Sequence, residues 1–276
     1  MDPEKQDEVS SNLGEGNGMT DTKPEVFQVE DTKGAGDRLP YHQPRFSPEE
    51  EAAVIRKLDW YLMPLIFILY SLSVLDRSNL GNARIAGLAK DIHLTGRQYD
   101  WLATVFYIAY ILSQWATIGW KAFKPHCWIA VVVFLWGLVS TLQATVFSWG
   151  DLMACRVLLG IVEACYGPGV PLYLSYFYPR EKLGLRTGIF LSGSALANAY
   201  GGALAYGISQ EKSSVAPWRI LFIVEGVPTC FLAILAFFWF PDNPSTAWFL
   251  TDRQKEIVSR PRTTTFSKHI LTYQGY

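Results

Sequence analysis

The sequence predicts an all-α membrane protein of six transmembrane helices, and three observations carry that prediction. Six apolar segments run at Trp60–Leu80, Tyr99–Trp120, Cys127–Val146, Gly150–Phe177, Thr187–Ile208 and Trp218–Phe240. Each reaches the roughly 20 residues that cross a bilayer as a helix. Ionisable residues sit well inside two of them, Asp76 and Arg77 in the first and Arg156 and Glu163 in the fourth. A charge in hydrocarbon costs at least ~2.5–3.5 kcal/mol on insertion scales, so these four need partners or a polar interior. Lys and Arg are unequally shared between alternate loops, which is the asymmetry that sets membrane orientation.

Composition narrows the class. Half the residues are apolar, ten are Trp, and the formal net charge is −1. Nothing argues for nucleic acid as a partner. The four cysteines all fall in apolar spans and read as small buried hydrophobes, not as a disulfide framework or a metal site. No His/Asp/Glu cluster has metal-ligand or nucleophile spacing, so neither an enzyme nor a cofactor is expected.

Residues 1–46 are rich in Asp, Glu, Gly, Thr and Pro and read as a disordered cytoplasmic tail. The first 57 residues lack an apolar stretch, so the first span is expected to act as its own insertion signal. Order is expected from Ser47, a suitable N-cap, followed by Pro48 and Glu49, Glu50 and Glu51, which suit the positive end of a helix dipole. The six-helix domain is placed at 47–245 and a C-terminal cytoplasmic tail at 246–276. With the N-terminus inside, the cytoplasmic face gathers Arg45, Arg56, Lys57, Lys121, Lys124, Arg180, Lys182, Arg186, Arg253, Lys255, Arg260 and Arg262. The opposite face holds Arg84, Lys90, Arg97 and Lys212. Both termini are then cytoplasmic.

Taken in order, the spans differ in what they carry. At a rise of about 1.5 Å per residue, Asp76 and Arg77 in the first span lie at the depth of Arg156 in the fourth, with Glu163 about two turns inward. Arg156, Gly160, Glu163 and Gly167 share one helix face. Two arginines could hold an anion between these helices, and two carboxylates could bind and release protons as substrate comes and goes. The alternative is that Asp76–Arg156 and Arg77–Glu163 are neutralising pairs that fix helix packing. Asn79 and Asn82 sit at the cavity mouth or cap the helix end. In the second span Tyr107, Tyr110 and Gln114 share one face and are candidates to line the same cavity. The third span is plainly apolar. The fifth carries Gly193, Ala197 and Gly201 at four-residue spacing, a close-packing face. In the sixth, Glu225 is expected to pair with Arg219 or polar backbone. Pro64, Pro168, Pro171 and Pro228 mark expected kinks.

Several motifs resemble one family. Leu75-Asp76-Arg77-Ser78-Asn79-Leu80-Gly81-Asn82-Ala83-Arg84 is similar to the end of the first helix in the anion:cation symporter family of the major facilitator superfamily. Arg156-Val157-Leu158-Leu159-Gly160-Ile161-Val162-Glu163-Ala164 with Tyr178-Pro179-Arg180-Glu181 resembles its fourth helix and following loop. Trp218-Arg219 through Glu225-Gly226-Val227-Pro228, and Phe240-Pro241-Asp242-Asn243-Pro244, resemble its sixth helix and exit. Within it, the fungal allantoate permease-like transporters are most similar. The resemblance implies the N-terminal half of a major facilitator fold and proton-coupled movement of a small organic anion by alternating access, in the plasma membrane. It assigns substrate binding to Arg77 and Arg156, with Asn79, Tyr107, Tyr110 and Gln114 as further lining residues. Proton coupling goes to Asp76 and Glu163. The superfamily's signature between its second and third helices is reduced here to Gly119-Trp120-Lys121-Ala122-Phe123-Lys124, without its Asp.

The family pattern fades near Ile257, and Ser259–Tyr276 carries neither motif nor span. It reads as a premature stop, a retained intron or a frame change. The competing expectations are therefore a transport-inactive half and an efflux carrier of an acidic metabolite. Expected partners are the anion, protons and the lipid bilayer. Self-association of halves is a further expectation if this length is the mature product.

Overall fold

The structure, a computed structural model, describes residues 46–210 and 214–259. The predicted disordered tail and residues 260–276 lie outside the described residues. Among the described residues the chain is helical throughout, without strands. Helix α1 spans Pro48–Ile85, α2 Leu88–Asp91, α3 Gly96–Leu112, α4 Gly119–Ala122 and α5 Pro125–Leu142. They are followed by α6 Trp149–Ala164, α7 Gly169–Phe177, α8 Arg180–Gln210, α9 Pro217–Trp239 and α10 Asp252–Ser259.

Local sequence explains the helix starts. Ser47 caps α1 in a reciprocal box with Glu50, at 3.1 Å and 3.2 Å, with Pro48 at the first helical position. The predicted surface helix and the first span are one continuous helix. Thr95 with Gln98 caps α3, and Ser148 with Asp151 caps α6, in the same way. Gly87, at φ +102°, ends the α1 turn in the left-handed region that glycine adopts without strain.

Four helical stretches are long and apolar enough to cross a bilayer: Pro48–Ile85, Pro125–Thr145, Trp149–Phe177 and Pro217–Trp239. A fifth passes if α3 and Gln114–Ala122, bent by 45°, form one span. The remaining predicted span lies in α8. Its 31 residues would reach about 46 Å, but Gly, Ser and Asn dilute its apolarity below that mark. The half-fold agrees with the expectation, while a count of six spans requires both the bent pair as one span and α8, which has the length but not the apolarity.

The helices pair as α1 with α8, α3 with α6, and α5 with α9. On α8 the buried residues include Gly193, Ala197 and Gly201, the predicted small-residue face, and it is α1 that they meet. The tightest approach is between α5 and α9. A Cβ on Gly226 would fall 2.5 Å from the Thr141 amide nitrogen and 2.8 Å from the Gly137 carbonyl oxygen. Gly226→Val is expected to cost about 3 kcal/mol or more, because backbone on both sides has nowhere to move. Gly202→Val, where nothing lies within 4 Å, is the neutral control. Thermal unfolding in detergent compares them.

The bundle is inverted relative to a water-soluble one. The outer faces of α5 and α9 expose Phe134, Leu135, Phe231, Ile234 and Phe238, whereas Asp76, Arg156, Glu163 and Glu225 are buried. At the end where α1 begins, Asp59 takes Arg186 of α8 as a two-point pair, Nε to Oδ1 at 3.0 Å and Nη2 to Oδ2 at 2.6 Å. Asp59→Ala is expected to cost about 1–3 kcal/mol, since Arg186 is nearly buried and loses its fork partner. The same thermal assay reads it. Residues 246–259, assigned from sequence to the tail, fold back against this end. Phe249 stacks on Tyr61 at 4.5 Å, and Arg253 reaches Glu50 at 2.7 Å.

Candidate functional site

From α1, Asp76 reaches α5, Ser73 and Arg77 reach α6, and Asn79 reaches α9. Side chains on a helix lean towards its N-terminus. Arg77 accordingly turns back along α1: its Nη2 donates to Ser73 Oγ at 3.3 Å and its Nε to Glu163 Oε2 at 2.7 Å. Ser73 also donates to Glu163 Oε2, at 3.0 Å. This lean carries the cation across the two turns that separate Arg77 and Glu163 in depth. The Arg77 guanidinium lies over the rings of Tyr110 and Phe106, at 4.8 and 5.6 Å, a stabilising cation–π setting.

Asp76 is held differently. Its carboxylate accepts from Ser140 Oγ at 2.5 Å and from Trp136 Nε1, both on α5. Arg156 does not bond that carboxylate. Its Nη1 donates to the Asp76 backbone carbonyl at 3.5 Å, while Nε and Nη2 have no hydrogen-bond partner among the described residues. Of the two neutralising pairs of the packing alternative, Asp76–Arg156 is therefore absent among the described contacts and Arg77–Glu163 is present. Asn79 Nδ2 donates to Glu225 Oε2 at 2.7 Å. Glu225 Oε1, Glu163 Oε1 and Asn79 Oδ1 lack partners as well. Orphaned buried polar atoms are uncommon and each calls for an explanation. Here five of them belong to one cluster.

Two expected lining residues are not brought to it. Tyr107 is half exposed and meets Phe106 edge-on. Gln114 is exposed, because α3 ends at Leu112 and the chain turns into a 3-10 segment from Gln114. Same-face spacing does not carry across that break. Glu225 does not pair with Arg219 either. Six residues separate them, which puts them on different faces of α9, and Arg219 instead donates to the carbonyls of Ala144 and Val146 at 2.5 and 3.1 Å. Among the described residues the Asn82 side chain reaches the Gly201 carbonyl, at 3.5 Å.

A family model described as Major Facilitator Superfamily matches residues 66–274. The chain belongs to the major facilitator superfamily. The match runs past Ile257, where the sequence motifs fade. Among curated relatives, the high-affinity nicotinic acid transporter of Saccharomyces cerevisiae is 38% identical over 212 residues, 76% of this chain and 39% of that protein. The major facilitator-type transporter hxnP of Emericella nidulans is 34% identical over 76% of this chain and 44% of its own length. The chain spans less than half the length of these relatives. Of solved structures, a bacterial homologue of the human lysosomal transporter Spinster, inward-facing and unoccupied, matches with TM-score 0.59 at 18% identity. That match covers 80% of this chain and 47% of that one, and it carries the fold alone.

As a major facilitator protein the chain is a multi-pass membrane protein of a transporter family, and not an enzyme by kinship. The reduced signature loop also has a structural use. Trp120 is buried, and its Nε1 donates at 2.7 Å to the Cys165 carbonyl, an acceptor freed where α6 stops before Gly167 and Pro168. Trp136, Ser140 and Ser73 went unread in the sequence. Ser73 had a signal, one turn before Arg77 on the same face; Trp136 and Ser140 had none in an apolar span.

Proposed function

We propose that this half-fold builds the substrate site of a proton-coupled carrier of a small organic anion, working by alternating access. The observation that carries the reading is the free Nε/Nη2 edge of Arg156. That edge is the geometry with which guanidinium takes a carboxylate in two parallel hydrogen bonds. It is 1% exposed and lies beside the Phe222 ring, 5.8 Å from the guanidinium carbon. An aromatic monocarboxylate would satisfy both the edge and the ring. Nicotinic acid, named for one relative, is such a compound, and the reading extends to the allantoate permease-like group.

The two arginines then have separate tasks. Arg156 receives the anion, while Arg77 is already engaged by Glu163 and Ser73. When the anion enters, Glu163 takes a proton and loosens Arg77, so that net charge in the low-dielectric interior is conserved. Tyr110 and Asn79 complete the lining. Rocking of this half against a second one would expose the site alternately to each side. Membrane placement follows the Lys and Arg asymmetry, with both ends cytoplasmic and the plasma membrane as the expected location.

Equilibrium binding of radiolabelled nicotinate to the purified protein in lipid nanodiscs tests the reading. Saturable binding, competed by other small carboxylates and insensitive to neutral nicotinamide, is the expected result. Equal binding of nicotinamide would overturn it.

A further inference from the structure

Away from the charged cluster, three side chains meet at the start of α5. His126 Nδ1 lies 2.7 Å from Asp242 Oδ1, and the same oxygen accepts the His126 backbone N–H at 3.1 Å. Cys127 Sγ lies 3.1 Å from His126 Nε2. Asp242 belongs to the exit motif after α9, which the carrier reading leaves without a task. A carboxylate only accepts, so it selects the imidazole tautomer with its hydrogen on Nδ1. The Nε2 lone pair then faces the thiol. Thiol, imidazole and carboxylate stand in the order in which an imidazole takes a thiol's proton as sulfur attacks. Among the described residues, Cys127 alone of the four cysteines meets an imidazole. From sequence it reads as a buried hydrophobe, but it is partly exposed, as are His126 and Asp242.

The surroundings point to the electrophile. Cys127, Ala130, Val131 and Phe134 share one face of α5 by helical spacing. The last three line an apolar groove with Ala233, Ile234 and Phe237 of α9. Phe237 meets the His126 ring edge-on, with centroids 5.2 Å apart. The groove therefore starts at the thiol and runs about 10 Å along α5. In the proposed orientation its mouth is cytoplasmic, and the exposed Lys121 and Lys124 precede it in the chain. A long acyl chain suits the groove, and the phosphates of coenzyme A suit the two lysines. A cysteine at a membrane boundary is also where S-acyl groups are carried.

We infer that Cys127 is an S-acylation site that takes a long-chain acyl group from acyl-coenzyme A and seats the chain between α5 and α9. The Cys127 sulfur bonds the thioester carbonyl carbon, and the bond from that carbon to the coenzyme A sulfur breaks. His126 Nε2 accepts the thiol proton and passes it to the departing coenzyme A thiolate. One thioester replaces another, so no oxidant or reductant is needed. Asp242 is the positioning residue that keeps Nε2 turned to the thiol. The attached chain covers apolar surface that α5 and α9 leave exposed. None of this depends on the anion-carrier reading.

Purified protein in lipid nanodiscs, incubated with palmitoyl-coenzyme A bearing a diazirine on its chain, tests it. Peptide mass spectrometry is expected to find a hydroxylamine-labile acyl group on Cys127 before Cys155 or Cys230. Ultraviolet light is expected to crosslink that chain to the α9 segment holding Ile234 and Phe237. Cys127→Ser is expected to remove the label, and His126→Asn to slow it about 10²-fold. No label on Cys127, equal labelling of the cysteines, an unchanged rate in folded His126→Asn, or crosslinks to lipid alone would overturn the inference. If His126→Asn fails to fold, the order of labelling in the wild type decides. Failure of the same preparation to bind nicotinate counts against the carrier reading alone, because acylation needs no anion.

Discussion

Arg156→Gln lowers nicotinate affinity by about 10²- to 10⁴-fold. Two charge-assisted hydrogen bonds are lost, each contributing about 1.5–3 kcal/mol, and every 1.4 kcal/mol is tenfold in affinity. Arg156→Lys is expected to recover only part of the loss, since a point charge cannot present a fork. Arg77→Gln weakens binding less, because Arg77 is committed to Glu163 and Ser73 at 2.7 and 3.3 Å. Isothermal titration with each variant ranks them. The alternative, in which the arginines only fix helix packing, predicts a different outcome: both variants would lose thermal stability together, with no residual difference in affinity among the molecules that fold.

Glu163→Gln makes anion binding independent of pH. In the wild type the carboxylate is held by Arg77 and Ser73, and anion entry is expected to protonate it. Binding that takes up a proton weakens as pH rises, by up to about tenfold per pH unit while the empty site holds Glu163 ionised. Glutamine is neutral throughout, so its affinity stays flat and near the low-pH wild-type value. It also keeps an oxygen for Ser73, so folding is expected to survive. Affinity measured across a pH series separates the two curves. A variant that still follows the wild-type slope would move the proton site elsewhere.

The centre of this site was legible because charge in an apolar span has few innocent explanations. Asp76, Arg77, Arg156 and Glu163 stood out on that ground, and all four meet in one cluster, Arg77 partly buried and the other three buried. Their pairing was legible only in part: Arg77–Glu163, one of the two pairs of the packing alternative, forms, whereas the Asp76 carboxylate is taken by Trp136 and Ser140 instead of Arg156. Depth counted by rise put Arg77 level with Arg156, but a side chain several carbons long reaches the next two turns, and it chose Glu163. Glu225 was under-read because Arg219 lies nearby in sequence, where charge complementarity suggests a pair that helical phase forbids. The lining from the second span failed in part for a related reason. Tyr110 and Gln114 share a face only if the helix continues, and it breaks at Ser113. Donors such as Trp136 and Ser140 carry no charge and sit in a uniformly apolar run, so only the fold reveals them. Helix α8 shows the converse case: its small residues announced close packing, and Gly193 does approach α1 within 2.8 Å of Ser71 Oγ when a Cβ is added. Those same small and polar residues weakened its signature as a span.

The account's central claim is that this cluster binds an anion and a proton together. Proton uptake during nicotinate binding tests it most directly, by calorimetry in buffers of different ionisation enthalpy. The wild type is expected to take up about one proton per anion bound, and Glu163→Gln none. Saturable binding with no proton uptake in the wild type, or the same uptake in Glu163→Gln, would contradict it.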